Sequence, residues 1–231
     1  MSRTVLEIVR SAAPAIGLER PGVLFGSTSR TEIELQRAVI EAADMVLRAH
    51  DWRKLMKIST STGDGSETEF ALPSDFLRMP KDADVWSSRT QSPLSRISPE
   101  DWLQMDVGIG DFSYGAWTLF GGNMVFRPAL STGETARYWY VSKEVVQGTD
   151  GARKERFSDD DDLFVLDDRV LELALIYQWR KDKGLDYAEE MQAADAALSR
   201  EVESDKGARI VTQRSSRLPA TKVAYPGVIT P

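Results

Sequence analysis

The sequence predicts an α+β protein. N- and C-terminal helices form an antiparallel four-helix bundle, a small antiparallel β-module is inserted between them, and an extended C-terminal arm is left over. Three observations predict it. Apolar residues recur at helical spacing near both ends of the 231-residue chain; the middle is strand-like and rich in Trp, Tyr and Phe; and residues 207–231 contain Arg209, Arg214, Arg217 and Lys222 but no Asp or Glu. The expected boundaries are 1–52 and 158–206 for the two halves of the bundle, 53–157 for the β-rich module and 207–231 for the arm.

Taken in order, the first helix is expected over residues 3–13, with Val5, Leu6, Ile8 and Val9 apolar and Pro14 and Gly17 ending it. Residues 18–27, with Pro21, Gly22 and Gly26, read as a loop. A longer helix follows to His50, capped by Thr28 or Ser29, with Glu32 in its first turn and Leu35, Val39, Ala42, Ala43, Val46 and Leu47 along one face. Two strand patterns then flank Thr62-Gly63-Asp64-Gly65-Ser66 and predict a hairpin. A phosphate cradle is the poorer reading of this Gly-Asp-Gly, because no Lys-Ser or Lys-Thr and no helix follow it. Val85-Trp86 suggests a short strand. Ser98-Pro99-Glu100-Asp101 is a helix start, with a cap, a proline at the first helical position and two early acids, and Trp102, Leu103 and Met105 should follow in that helix. Residues 117–126 around Gly121-Gly122-Asn123 form the clearest hairpin, and Ala136, Tyr138, Tyr140 and Val141 mark another strand. Helical pattern returns at Leu163, capped by Asp161 or Asp162, and runs to Gly184; a last helix covers 187–206.

Composition narrows function. The absence of cysteine excludes a disulfide framework and thiolate metal sites, in keeping with a reducing compartment or one where no covalent staples are needed. The only histidine, His50, sits at a helix end, where capping is a better reading than general-base catalysis. Residues near the start lack a signal-peptide core because Glu7 and Arg10 interrupt them, and no stretch is long and apolar enough to span a bilayer, so no membrane partner is expected. The whole chain carries −7 and residues 207–231 carry +4, which leaves −11 on the remainder: an acidic body bears a basic arm. Ile210, Val211, Leu218, Val223, Tyr225, Val228 and Ile229 are too many apolar side chains for a purely solvating tail, so the arm is expected to order on a partner.

No catalytic, cofactor-binding or metal-ligating residue is expected. Asp159-Asp160-Asp161-Asp162 reads as a solvated acidic helix start, because adjacent carboxylates do not converge as calcium-loop ligands do and no closing Glu stands at the required distance. Glu67 with Glu69, or Asp82 with Asp84, could serve glycoside hydrolysis only if the fold set their separation, and carboxylates are too common here to be evidence. The clustered aromatic residues read as core or subunit boundary in preference to a base-stacking platform, since their surroundings are not basic.

Four segments carry a family resemblance: Ala42-Ala43-Asp44-Met45-Val46-Leu47 leading to Asp51-Trp52; Ala71-Leu72-Pro73-Ser74-Asp75-Phe76-Leu77; Phe126-Arg127-Pro128-Ala129; and Asp167-Asp168-Arg169-Val170-Leu171 through Trp179-Arg180-Lys181. Together they resemble the head-to-tail adaptor (connector) proteins of tailed bacteriophages, most closely the tail-tubular-protein and podovirus-type adaptors. The resemblance implies a structural virion protein, not an enzyme, assembled as a dodecameric ring under the portal protein and presenting its lower face to a tail or nozzle protein. Genome DNA would pass through the lumen without sequence-specific binding. It also implies residence at the head-tail interface of the virion and in the host cytoplasm during assembly. The residues expected to bind the portal are Arg209, Arg214, Arg217, Leu218, Lys222, Val223, Tyr225 and Ile229. The rival from another class is a virion-associated peptidoglycan hydrolase using paired carboxylates; a nucleic-acid-handling regulator would require the arm to bind DNA by itself.

Overall fold

Helix α1 (Val5–Ala12) begins at a capping box: the Thr4 hydroxyl accepts the Glu7 N–H and the Glu7 carboxylate accepts the Thr4 N–H. Val5, Ile8, Val9 and Ala12 lie on its buried face, and a 3₁₀ turn over Ala13–Ile16 ends at Gly17 in the left-handed region. Helix α2 (Arg30–Ala49) runs from Ser29 to His50 as the sequence predicts and buries Leu35, Ala38, Val39, Ala42, Ala43, Val46 and Leu47. These and the remaining elements come from a computed structural model that describes residues 3–107 and 115–207.

The strands that follow are β1 (Met56–Thr62), β2 (Glu69–Ala71), β3 (Phe76–Arg78), β4 (Val85–Ser87), β5 (Ser92–Pro93) and β6 (Ser95–Arg96). After α3 (Pro99–Val107) come β7 (Ala116–Phe120), β8 (Asn123–Arg127), β9 (Thr135–Ser142), β10 (Val146–Gln147), β11 (Arg153–Lys154) and β12 (Leu163–Phe164). The chain then forms α4 (Asp168–Asp182) and α5 (Ala188–Lys206). The strands make three sheets. One has five strands in the order β1-β9-β4-β5 with β3 also on β9, one has four in the order β2-β8-β7-β6, and one has three in the order β11-β10-β12.

The five- and four-stranded sheets face each other across a shared core. Val85, Ala136, Tyr138 and Tyr140 from one meet Trp117, Met124 and Phe126 from the other. Helix α3 covers the back of the four-stranded sheet, where Trp102 packs with Ile97, Ala116 and Val125 and receives the Arg127 guanidinium over its ring at 4.7 Å. The β7–β8 hairpin matches the sequence reading: Phe120 pairs with Asn123 across Gly121 and Gly122, whose φ angles of 61° and 81° suit a two-residue turn.

The expected four-helix bundle with a small β-module is not the fold. Helix α4 is the hub: α1, α2 and α5 each pack on it, but α1 is only eight residues long and α5 buries Ala194 alone. The helical core is closed from the β side by Val141, Val145, Val146, Phe157 and Phe164. Periodicity reports that a helix has an apolar face, not which element covers it. Nor is the β-region wholly antiparallel, since β6 runs parallel to β7.

Two local readings also change. The predicted hairpin around Gly63 does not form: β1 pairs with β9 and β2 with β8, so the two strands belong to different sheets. The glycine segment is a crossover. Gly63 exchanges backbone hydrogen bonds with Glu134 and Gly133, and a Cβ at Gly63 would stand 2.4 Å from Leu130, so only glycine fits between the sheets. The helix predicted from Leu163 starts later, capped by Asp167, whose carboxylate accepts the Val170 N–H at 2.9 Å. Leu163 and Phe164 instead pair with Gln147 and Val146 as strand β12.

The acidic run just before β12 is therefore not a solvated helix start but a knot. The Asp162 side chain is buried and accepts the N–H groups of Ser158 and Asp159 and the Lys154 ammonium, at 2.8, 3.1 and 2.9 Å. Asp160 accepts the Leu24 and Phe25 N–H groups, while the backbone carbonyls of Asp162 and Asp160 accept from Val5 and Leu6 in the first turn of α1. Donors of a helix start that have no partner within the helix are thus met by a loop more than 150 residues away in sequence.

Candidate assembly interfaces

The described chain ends at a clasp. The Arg53 N–H donates to the Asp205 carboxylate at 3.1 Å, its guanidinium donates to the Lys206 carbonyl at 2.9 Å, and His50 Nε2 lies 3.3 Å from Asp205. His50 also sets its ring edge-on to Trp52, itself buried and donating to the Val46 carbonyl at 2.8 Å. The C-terminus of α5 is thereby pinned where α2 turns into β1. The eight expected portal-binding residues, Arg209 to Ile229, lie outside the described residues.

Two exposed surfaces stand apart from the core. On β9 the alternation puts Ala136, Tyr138 and Tyr140 inside and Arg137 and Trp139 outside, while Val141 one step on is covered by the helical half. Trp139 (49% exposed) lies opposite Ile58 (45%) on β1, and Arg137 lies opposite both Thr60 on β1 and Trp86 (42%) on β4, with exposed Pro93 beyond. Half of this sheet face is therefore bare and carries two tryptophans and an arginine. Its only signal in the sequence is a tryptophan on the polar phase of a strand. The second surface is the α4–α5 elbow, where Leu185, Tyr187 and Met191 are exposed at 51%, 37% and 37%. Residues 185–205 carry Asp186, Glu189, Glu190, Asp195, Glu201, Glu203 and Asp205 against Arg200 alone, so this flank holds much of the acidic excess.

A groove of about 640 Å³ follows one side of α2, with Ile33, Ile40, Leu47, Leu77, Val145 and Phe157 in its lining. Its polar wall is self-paired through Arg37–Glu41, Arg48–Asp44 and Lys143–Glu155.

Glu67, Glu69, Asp82 and Asp84 are exposed, and among the described residues no group of three or more His, Asp or Glu side chains is placed to hold a metal ion. Asp75 is buried. Burial alone would raise its carboxyl, but hydrogen bonds from Lys57, Ser142 and Tyr140 outweigh it and hold the group below its ordinary value of 3.8. Burial and the bond to Asp75 push the Tyr140 hydroxyl up to about 12. Glu134 and Glu172 follow the same balance: burial opposes the charge, and Ser87 with the Ser131 N–H and Arg89, or Ser11 with Arg3 and Arg169, hold each carboxyl below 4.5. Depressed carboxyls stabilise the fold fully above their unfolded-state values and lose that contribution as pH falls through the folded ones. The melting temperature is accordingly expected to fall between about pH 5 and pH 3, with a shallower slope for Glu172→Gln; thermal melts across that range check it.

Among the described residues no helix is long and apolar enough to cross a membrane. The model of the SU10 adaptor protein family matches residues 3–219, almost the whole chain. The chain belongs to the SU10 adaptor protein family. It is thus a phage structural adaptor of the head-to-tail type, as its four motif segments imply, and the family connects it with portal and tail proteins and with the virion. The match extends past the clasp and includes Arg209, Arg214, Arg217 and Leu218. No curated protein matches the chain.

Proposed function

We infer that this SU10-family adaptor closes into a dodecameric ring beneath the portal, joins head to tail, and forms part of the channel through which the genome leaves. The match over residues 3–219 carries this reading. Residues 207–231 are the portal-docking arm: Arg209, Arg214, Arg217 and Lys222 meet an acidic or grooved portal surface, and Leu218, Val223, Tyr225 and Ile229 supply apolar anchors. The clasp at Arg53 supports the assignment, because it holds Asp205 and Lys206, just before that segment, against the body. An acidic body suits a DNA channel, since phosphate repulsion avoids the tight, salt-dependent attachment that Lys and Arg contacts create. The protein works by assembly in the host cytoplasm and then stays at the head-tail interface.

The test is the mass of the purified protein alone and after mixing with its portal ring. A low-order species that shifts into a portal-bound ring is the expected result. Failure to bind any portal, together with clearing of peptidoglycan in a zymogram, would overturn the reading in favour of a hydrolase.

A further inference from the structure

We propose that the bare face of the five-stranded sheet receives the acidic α4–α5 elbow of a second copy of this chain, so that copies join head to tail through these two surfaces. The inference rests on the ring reading and names its contact. Ile58 and Trp139 are direct cross-strand partners, Trp86 and Arg137 are another, and Trp86 and Trp139 are diagonal neighbours on one face. Two tryptophans around one arginine are the residue types that anchor protein interfaces when desolvated. Among the described residues Arg137 makes no ion pair, whereas Arg78, Arg89 and Lys57 of the same sheet or its turns all do.

The elbow is complementary in both respects. It offers Leu185, Tyr187 and Met191 as apolar surface, and beside them Asp186 and Glu189 make no ion pair among the described residues, whereas the nearby bases are occupied, Arg180 by Glu190, Lys183 by Glu34 and Lys181 by the Tyr177 ring. The two surfaces cannot meet within one copy. The far end of α5 is pinned at Arg53, three residues before β1 starts, and a helix rising about 1.5 Å per residue holds Tyr187 about 27 Å away from that clasp. Different patches that meet head to tail give heterologous contacts, which close into a ring where the rotation between copies allows it and otherwise run on as a filament.

Because the chain has no cysteine, the contact can be read directly. Ile58→Cys and Met191→Cys full-length variants are mixed, alone and on the portal ring, and oxidised; Leu103→Cys, exposed on α3, replaces Ile58→Cys in the control. The expected result is a disulfide-linked heterodimer from the first pair only, and about tenfold weaker assembly for Arg137→Glu. If wild-type multimers form but this cross-link does not exceed the control, the contact is wrong and the ring reading stands. If the wild type never multimerises, alone or with portal, both fall. If Trp86→Ala with Trp139→Ala leaves assembly intact and abolishes binding of a single-stranded oligonucleotide, the face is a stacking platform and the proposal is overturned.

Discussion

A chain ending at Gly207 is expected to fold normally and to lose portal joining. The truncation removes none of the described sheets or helices and none of the clasp, because Asp205 and Lys206 remain to engage Arg53. What it removes is the segment carrying +4 with no opposing acid, along with Leu218, Val223, Tyr225 and Ile229. Three or four apolar anchors at 1–2 kcal/mol each make the loss of affinity about a thousandfold. The matched measurements are a thermal melt, expected to stay within about 2 °C of the full chain because surface changes away from packed contacts cost little, and the mass of the portal mixture. Portal joining at full strength by the truncated protein would move docking onto the body.

Asp162→Ala is expected to destabilise the fold by about 4 kcal/mol, the size of effect seen when one partner of a buried charge network is removed. The Asp162 side chain is buried, and its loss strands the N–H groups of Ser158 and Asp159 and one anchor of Lys154. The same loop presents backbone carbonyls to Val5 and Leu6, so loosening it also undocks the first turn of α1. Asp161 beside it is exposed and makes no hydrogen bond among the described residues, so Asp161→Ala should change stability by less than about 0.5 kcal/mol. Urea unfolding of the pair decides the matter: equal, small effects would return the run to a solvated acidic patch.

Those four aspartates show how far local reasoning reaches. Sequence spacing took all four as a solvated helix start, yet the burial of one carboxylate and the exposure of its neighbour follow from where α1 and the 22–25 loop arrive, which no local window contains. The hairpin expected around Gly63 failed for the same reason. Strand propensity and glycine were read correctly, but hydrogen-bonding edges carry no address, and β1 found β9 about 80 residues later while β2 found β8. By contrast the β7–β8 hairpin was legible because its turn and both partners lie within twelve residues.

The sequence by itself determined the elements whose signals are local: α2 from its apolar period, α3 from Ser98-Pro99 with its early acids, and the stops after α1 and α4, where Gly17 closes the 3₁₀ turn that follows α1 and Gly184 follows the cap of α4. It also carried the family, through short motifs spread across most of the chain. The tertiary structure alone decided which faces meet: that α4 gathers three helices where a four-way bundle was expected, that a sandwich of two sheets has its own core, and that Trp86 and Trp139 stay outside it. The physical reason is that apolar patterning encodes the need for burial without naming the partner. Long-range pairing is selected only when every face competes for cover at once.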